Sequence, residues 1–362
     1  MQNTLENKIN EIYNKRIQKI KEHLNTIGAD AFLTNNKLNF YYLSNFSGST
    51  GILIITNDEN YLIVDGRYTL RAKKEAINVN VIEATDKSKL SNNVIKLLKE
   101  LNVSKLAVEA HNLTLSSYLV YKEYFKIIPT YFLVENIRAI KDENEIELIK
   151  KAMEITQIVL KEVEDLLKNN ISKITESEVA FYIKNRINEL GGGLAFEPIV
   201  AFNTNTAFPH YAPSNTILKE NDFIIIDMGA TYLGYHSDIT RSFCFGNNPK
   251  FNELYKIVLE AQVESIKSLR VGLPAKEAYF KAVKVFEKYN LENYFTHGLG
   301  HGVGLEIHEL PSLSSASNNY LNKGNVITIE PGVYIEDVGG IRIEDLILIK
   351  EDSIEFISTY PK

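Results

Sequence analysis

A chain of 362 residues, 44% hydrophobic and 24% charged, has the composition of a soluble globular protein and is long enough for two domains. A formal net charge of −6 with no basic block gives no reason to expect nucleic acid as a partner. The single cysteine, Cys244, excludes an intrachain disulfide, fits a reducing compartment and sits in the apolar run Phe243-Cys244-Phe245, so a buried structural thiol is expected. No apolar run approaches the roughly 18 residues of a membrane span. Met1 to Lys21 is polar and lacks a signal peptide's apolar core and cleavage site, so a cytoplasmic protein is expected.

Residues 1–135 alternate helical and strand patterns. A lysine-rich amphipathic helix over Ile9–Ile27 precedes a short strand, Ala31–Thr34. Gly51–Thr56 and Tyr61–Asp65 flank a polar turn and read as a hairpin. Helices are predicted near 69–76, 90–101 and 114–125, with strands at Val79–Glu83, Lys105–Val108 and Ile127–Val134. That order predicts an α/β domain with a mixed sheet. The Gly/Ser-rich loop 44–51 lacks a P-loop lysine and enters a strand, which argues against phosphate. Asp65-Gly66-Arg67-Tyr68 reads as a turn with an ion pair, and His23 and His111 as isolated, solvated or capping histidines.

The boundary falls near 136–143, giving a first domain over 1–135 and a second over 136–362. Asp142 followed by Glu145 has the form of a helix cap with its returning acid. From there the chain repeats a plan. A long helix (about 144–168) leads to a second helix that opens at Thr175 and Glu178 and ends at Gly191-Gly192-Gly193, with a strand hairpin near 222–245. The plan recurs as a helix at about 252–270, a break at Gly272-Leu273-Pro274, a helix to Tyr289 and a hairpin near 325–349.

Between the two hairpins lies a stretch holding three of the seven histidines, His297, His301 and His308, with glycine at every second position from Gly298 to Gly304. As a helix those four glycines would stand about 4 kcal/mol above alanine. An extended segment also puts His297 and His301 on one face and lets other backbone come close.

The hairpins carry carboxylates in apolar settings. In the first, Phe223-Ile224-Ile225-Ile226 ends in Asp227, and the return strand brings Ser237-Asp238-Ile239-Thr240-Arg241; antiparallel pairing is expected to set Asp227 and Asp238 side by side. In the second, Val326–Ile329 ends in Glu330-Pro331-Gly332, and Ile341-Arg342-Ile343-Glu344 alternates so that Arg342 and Glu344 share a face. Any one of these acids alone would read as a surface salt bridge. Four in matched settings repel and call for a cation between them. Four carboxylates and His301 make a hard ligand set suited to two divalent ions such as Mn²⁺, Co²⁺ or Zn²⁺.

These residues and their flanks resemble the pita-bread metallopeptidases, which include methionine aminopeptidase, aminopeptidase P and prolidase. The preceding α/β domain and Ile137-Arg138-Ala139-Ile140-Lys141 are similar to the proline-directed members and creatinase. The resemblance implies a creatinase-type N-terminal mixed-sheet α/β domain followed by a pita-bread α+β domain with a pseudo-twofold repeat. It implies that Asp227 chelates one metal, Asp238 and Glu344 bridge both, and His301 and Glu330 complete the second, with Mn²⁺ as the expected ion. It further implies attack by a hydroxide shared between the metals, Glu330 as general base, and His308 as the group that meets the substrate carbonyl. His210, His297 and Arg342 match groups lining proline-directed sites; His236 matches none and reads as structural. The implied activity is Xaa-Pro aminopeptidase, with Xaa-Pro dipeptidase as the alternative and a non-catalytic binding protein as a third reading. The implied partners are a peptide with proline second and another copy in a homodimer, without nucleic acid or membrane.

Overall fold

The computed structural model describes residues 2–85 and 90–362, in two compact units, Met1–Arg138 and Ala139–Lys362. The first unit runs α1 (Gln2–Ile27), β1 (Ala31–Thr34), α2 (Lys37–Ser44), β2 (Ile52–Thr56), β3 (Asn60–Val64), α3 (Thr69–Glu75), β4 (Asn80–Glu83), α4 (Leu90–Glu100), β5 (Lys105–Glu109), α5 (Leu115–Tyr121), β6 (Lys126–Thr130) and α6 (Leu133–Arg138). Its sheet has the order β4-β3-β2-β1-β5-β6. Strand β1 is antiparallel to β2 and parallel to β5, the mixed sheet the pattern predicts. Leu33, Ile54, Ile63 and Leu106 from the strands meet Val94 and Leu98 of α4 in its core.

Four local readings differ. Helix α2 was not foreseen: Asn36 caps it by accepting from the Leu38 amide, and it buries Asn39, Phe40, Tyr42 and Leu43. The strand expected over Ile127–Val134 stops at Thr130, because Phe132 takes a left-handed φ of 53° and the chain turns into α6. Helix α5 ends at Tyr121, whose carbonyl accepts the amides of both Tyr124 and Phe125. His111 is not isolated either. It stacks on Phe132 at 4.6 Å and stands 3.3 Å from Glu135. The turn at Asp65–Arg67 does hold its ion pair, at 2.8 Å.

The second unit begins with α7 (Glu143–Asn169) and α8 (Glu176–Glu189), and both predicted caps are present as reciprocal boxes, Asp142 with Glu145 and Thr175 with Glu178. Then come β7 (Gly193–Leu194), β8 (Ile199–Phe202), β9 (Ile224–Met228), β10 (Ala230–Tyr232), β11 (Tyr235–His236) and β12 (Ile239–Phe243). The plan recurs as α9 (Pro249–Ser268), α10 (Ala275–Lys288), β13 (Gly300–Gly302), β14 (Glu309–Leu313), β15 (Val326–Ile329), β16 (Gly332–Ile335), β17 (Gly339–Arg342), β18 (Asp345–Ile349) and β19 (Ile354–Phe356). The main sheets are β12-β9-β8 and β14-β13-β15-β18-β19, so the inner strands β9 and β15 correspond. Both are fully buried, and each buried isoleucine contributes roughly 1.5–3 kcal/mol of transfer free energy. Leu254, Val258 and Ala261 of α9 and Ala278, Ala282 and Phe286 of α10 pack with the β15 side chains in one core. Cys244 packs against this core but is only half-buried, since the chain leaves the sheet there, and burial raises its thiol pKa. No helix among the described residues is long and apolar enough to cross a membrane.

Candidate metal and substrate site

The two inner strands deliver their carboxylates at breaks in the ladders. In β9–β12 the register sets Thr240 opposite Asp227 and Ile239 opposite Met228. Asp238 therefore lies two residues from Thr240, diagonal to Asp227 on the same face rather than directly across from it. The ribbon bends at Gly229, where a Cβ would stand 2.0 Å from the Ser237 carbonyl, and resumes as a separate β10–β11 pair. The second hairpin is broken likewise. Ile329 pairs with Asp345 in one ladder and Gly332 with Arg342 in another, so the strand expected through Ile341–Glu344 ends at Arg342. Glu330 and Glu344 emerge together at that gap. The Glu344 amide donates to the Thr240 carbonyl at 3.2 Å, which joins the two hairpins.

Buried polar groups hold this junction. Gln262 of α9 donates to the carbonyls of Ile329 and Ile343 at 3.0 and 3.1 Å. Arg241, itself 1% exposed, pairs with Asp345 at 2.9 Å and donates to the Glu344 carbonyl at 2.5 Å. Each satisfies strand ends that would otherwise be orphaned in the core.

His301 is carried by β13, and the glycines beside it are needed for close approach. A Cβ on Gly300 would stand 2.0 Å from the Thr328 carbonyl, and one on Gly302 2.1 Å from that of Leu310. The segment is thus extended, as expected, and packed backbone to backbone. His301 Nδ1 lies 3.1 Å from the Gly302 carbonyl, which fixes the proton there and leaves Nε2 facing carboxylates. Nε2 is 3.2 Å from Glu330 and 3.7 Å from Asp238. Asp238, His301 and Glu344 each bring a ligand atom within 4.8 Å of the others.

The electrostatics fit a cation. Burial, then the charges of Glu344, Asp227 and Glu330, push Asp238 well above the ordinary carboxylate range; burial, then Glu330 and Asp227, do the same to Glu344. Asp227 is raised by burial, with the Arg342 guanidinium opposing. Glu330 alone goes down, to about 2: burial works against it, but the His301 hydrogen bond and the charges of His301, His297 and Arg342 together outweigh burial. Asp227 Oδ1 and Glu344 Oε1 are buried without a hydrogen-bond partner. Orphaned carboxylate oxygens beside mutually repelling acids are what a divalent ion resolves, so the donor set fits metal.

All nine residues singled out from the sequence, Asp227, Asp238, His301, Glu330, Glu344, His210, His297, His308 and Arg342, line one cavity of about 700 Å³. Its walls include Phe196, Pro198, Ile199, Tyr211 and Ile307. The His308 ring stands 4.3 Å from that of His301, edge to face, and His210 is exposed in the loop after the 3₁₀ turn Asn203–Ala207. His297 is less free than expected. Its Nδ1 lies 2.7 Å from the Gly298 carbonyl, so Nδ1 carries the proton, and Nε2 accepts from the Tyr334 hydroxyl at 2.9 Å. Burial lowers its pKa and that of His308. His236 stays outside the cavity lining, with Nδ1 3.0 Å from the Gly304 carbonyl.

Two residues of the site were missed. Tyr334 links His297 to Arg342, whose Nη1 reaches it at 2.8 Å, and burial drives its pKa to about 12. Thr240 donates to Glu344 at 2.7 Å and accepts from Arg342 Nε at 3.1 Å. Strand alternation held the signal for both: Tyr334 shares a face with Gly332, and Thr240 with Asp238.

Comparison with known proteins agrees with this chemistry. Residues 147–351 match metallopeptidase family M24, and residues 16–140 match the creatinase/prolidase N-terminal domain. The chain is 34% identical to the Xaa-Pro dipeptidase of Pyrococcus horikoshii over 94% of its own length and 96% of that protein's. The solved structure of an Xaa-Pro dipeptidase from Bacillus anthracis superposes with a TM-score of 0.92 at 34% identity, covering 97% of this chain and 98% of that one. That of the X-Pro aminopeptidase from Thermotoga maritima gives 0.86 at 33% identity, covering 96% and 98%. The chain therefore belongs to metallopeptidase family M24, a hydrolase in which a pita-bread unit follows a creatinase/prolidase N-terminal domain.

Proposed function

We propose that this chain is an Xaa-Pro aminopeptidase, which removes the N-terminal residue of a peptide with proline second. The observation that carries the choice over a dipeptidase is Arg342, the only lysine or arginine among the cavity's described lining residues. A dipeptidase must hold its product's carboxylate, for which a free cation is the natural partner. Arg342 is already committed: Nη2 to Asp227 at 2.6 Å, Nη1 to Tyr334 and to the Pro209 carbonyl, and Nε to Thr240. With four of five N–H groups engaged, it serves to orient Asp227. The names of the two dipeptidases above favour the second reading, in which His210 would have to receive the carboxylate.

Asp227, Asp238, His301, Glu330 and Glu344 would hold two divalent ions, with Mn²⁺ the best match to an oxygen-rich set. Such ions supply Lewis acidity toward the scissile carbonyl and acidify water toward neutral pH. Glu330, ionised at rest, takes the proton from the attacking water, is neutral while it holds it, and delivers it to the departing proline nitrogen. His308 donates to the carbonyl oxygen as charge develops there. The Tyr334 hydroxyl holds His297 as the Nδ1–H tautomer. The apolar wall accommodates a proline ring, which has no N–H to recognise. The setting we envisage is a cytoplasmic homodimer.

The test is Mn²⁺-supplemented cleavage of an Xaa-Pro dipeptide beside an Xaa-Pro-Yaa tripeptide. The reading predicts a clear preference, tenfold or more in kcat/KM, for the tripeptide (a preference of about 1.4 kcal/mol). Turnover of the dipeptide alone would transfer the assignment to prolidase.

A further inference from the structure

One buried charge pair has no part in the chemistry above. Lys141 Nζ stands 2.5 Å from Glu309 Oε1, and the two side chains are 0% and 2% exposed. Burying two ions forfeits hydration that apolar residues of similar size would not need, so such a pair is often worth little to stability by itself.

Its surroundings tie it to His308. Glu309 directly follows His308 and begins β14. Its carboxylate lies against the bare face of Gly304, where a Cβ would stand 2.3 Å from Oε1. The Gly304 amide donates to the Glu306 carbonyl at 3.0 Å, and its own carbonyl accepts the His236 amide at 2.8 Å. Lys141 is fixed in turn, its amide donating to the Gly324 carbonyl at 2.9 Å, beside the capping residue Asp142 of α7. Residues 303–308 belong to no strand, while Gly302 pairs with both Glu309 and Ile327. The loop that presents His308 is therefore closed at its base by β pairing and at its side by Gly304 and the ion pair.

We propose that Lys141 and Glu309 are positioning residues: their buried pair, seated on Gly304, sets the loop that aims His308 at the scissile carbonyl. This rests on the reading of His308 given under the proposed function.

The experiment is a double-mutant cycle on the full-length, Mn²⁺-loaded protein with an Xaa-Pro-Yaa peptide. Lys141→Met is expected to lower kcat about tenfold or more with KM within about twofold, since a small misplacement of a catalytic group is enough for that. Lys141→Met/Glu309→Gln, which leaves no lone buried charge, covers the case in which the single variant does not fold, and is expected to show the same split. In the His308→Ala background neither substitution should reduce kcat further, because the pair acts through that ring. An equal fold-loss in both backgrounds, or an unchanged kcat, overturns the proposal. A second readout does not need turnover. In ¹⁵N-histidine-labelled protein, the Lys141 variant should shift the His308 ring resonances and leave those of His210 in place. If the wild type fails to cleave the peptide, the substrate reading falls while the ring shift still decides the positioning; unmoved His308 resonances overturn it.

Discussion

Glu330 is the residue on which the proposed chemistry turns, and its carboxylate is held near a pKa of 2 by His301, His297 and Arg342 against the opposing effect of burial. Glu330→Gln keeps the shape and removes the base, so turnover should fall by about 10²–10⁴-fold with an unchanged circular dichroism spectrum. Retained activity would remove Glu330 from that role. A different acid makes a pH prediction away from the cavity. Glu109 of β5 is buried, accepts from Thr34 at 2.7 Å and from Asn39 at 2.6 Å, and shares that amide with Glu135. Burial first, and then the Glu135 charge, raise it to about 7. A carboxyl raised on folding binds its proton more tightly in the native state, so its contribution is full below about pH 4.5 and is lost as pH rises through about 7. Wild type should therefore lose up to about 3 kcal/mol relative to Glu109→Gln between pH 4.5 and 8, read from urea unfolding. Parallel pH profiles for the two proteins would show that the buried acid is not shifted.

At the scale of elements, chain order and capping were legible, and register was not. Asp142–Glu145 and Thr175–Glu178 announced α7 and α8 because a cap is a local, two-residue chemistry. Helix α2 was invisible because tertiary burial of Phe40 and Leu43, rather than periodicity, makes it a helix. The breaks at Gly229 and at Pro331/Ile343 depend on which backbone meets which across the fold, and a strand pattern alone carries no such information. Those breaks are what turn four strand-end acids into one cluster. Two substitutions test the supports. Gly300→Ala brings a methyl within 2.0 Å of the Thr328 carbonyl, so it should push β13 off β15 and weaken Mn²⁺ binding at His301 at least tenfold by calorimetry. Gln262→Leu strands the carbonyls of Ile329 and Ile343 and should lower unfolding free energy by about 1–3 kcal/mol. Wild-type affinity in the first variant, or wild-type stability in the second, would show that these contacts are dispensable.

Across the whole molecule, the repeated helix-pair-and-hairpin plan explains why the candidate metal donors come from two distant stretches, 227–238 and 330–344, with His301 supplied from between them. The three-histidine stretch stood out in the sequence, yet it contributes one candidate ligand. The carboxylates, which look ordinary one at a time, make the site. We infer that this cluster is a two-ion hydrolytic centre. Its most direct test is to strip the full-length protein with chelator, titrate Mn²⁺ back by calorimetry, and follow Xaa-Pro-Yaa cleavage at each point. We predict about two ions bound per chain, activity rising with their occupancy, and loss of both in Asp238→Asn. Full cleavage by the stripped protein, or no ion bound, would contradict it.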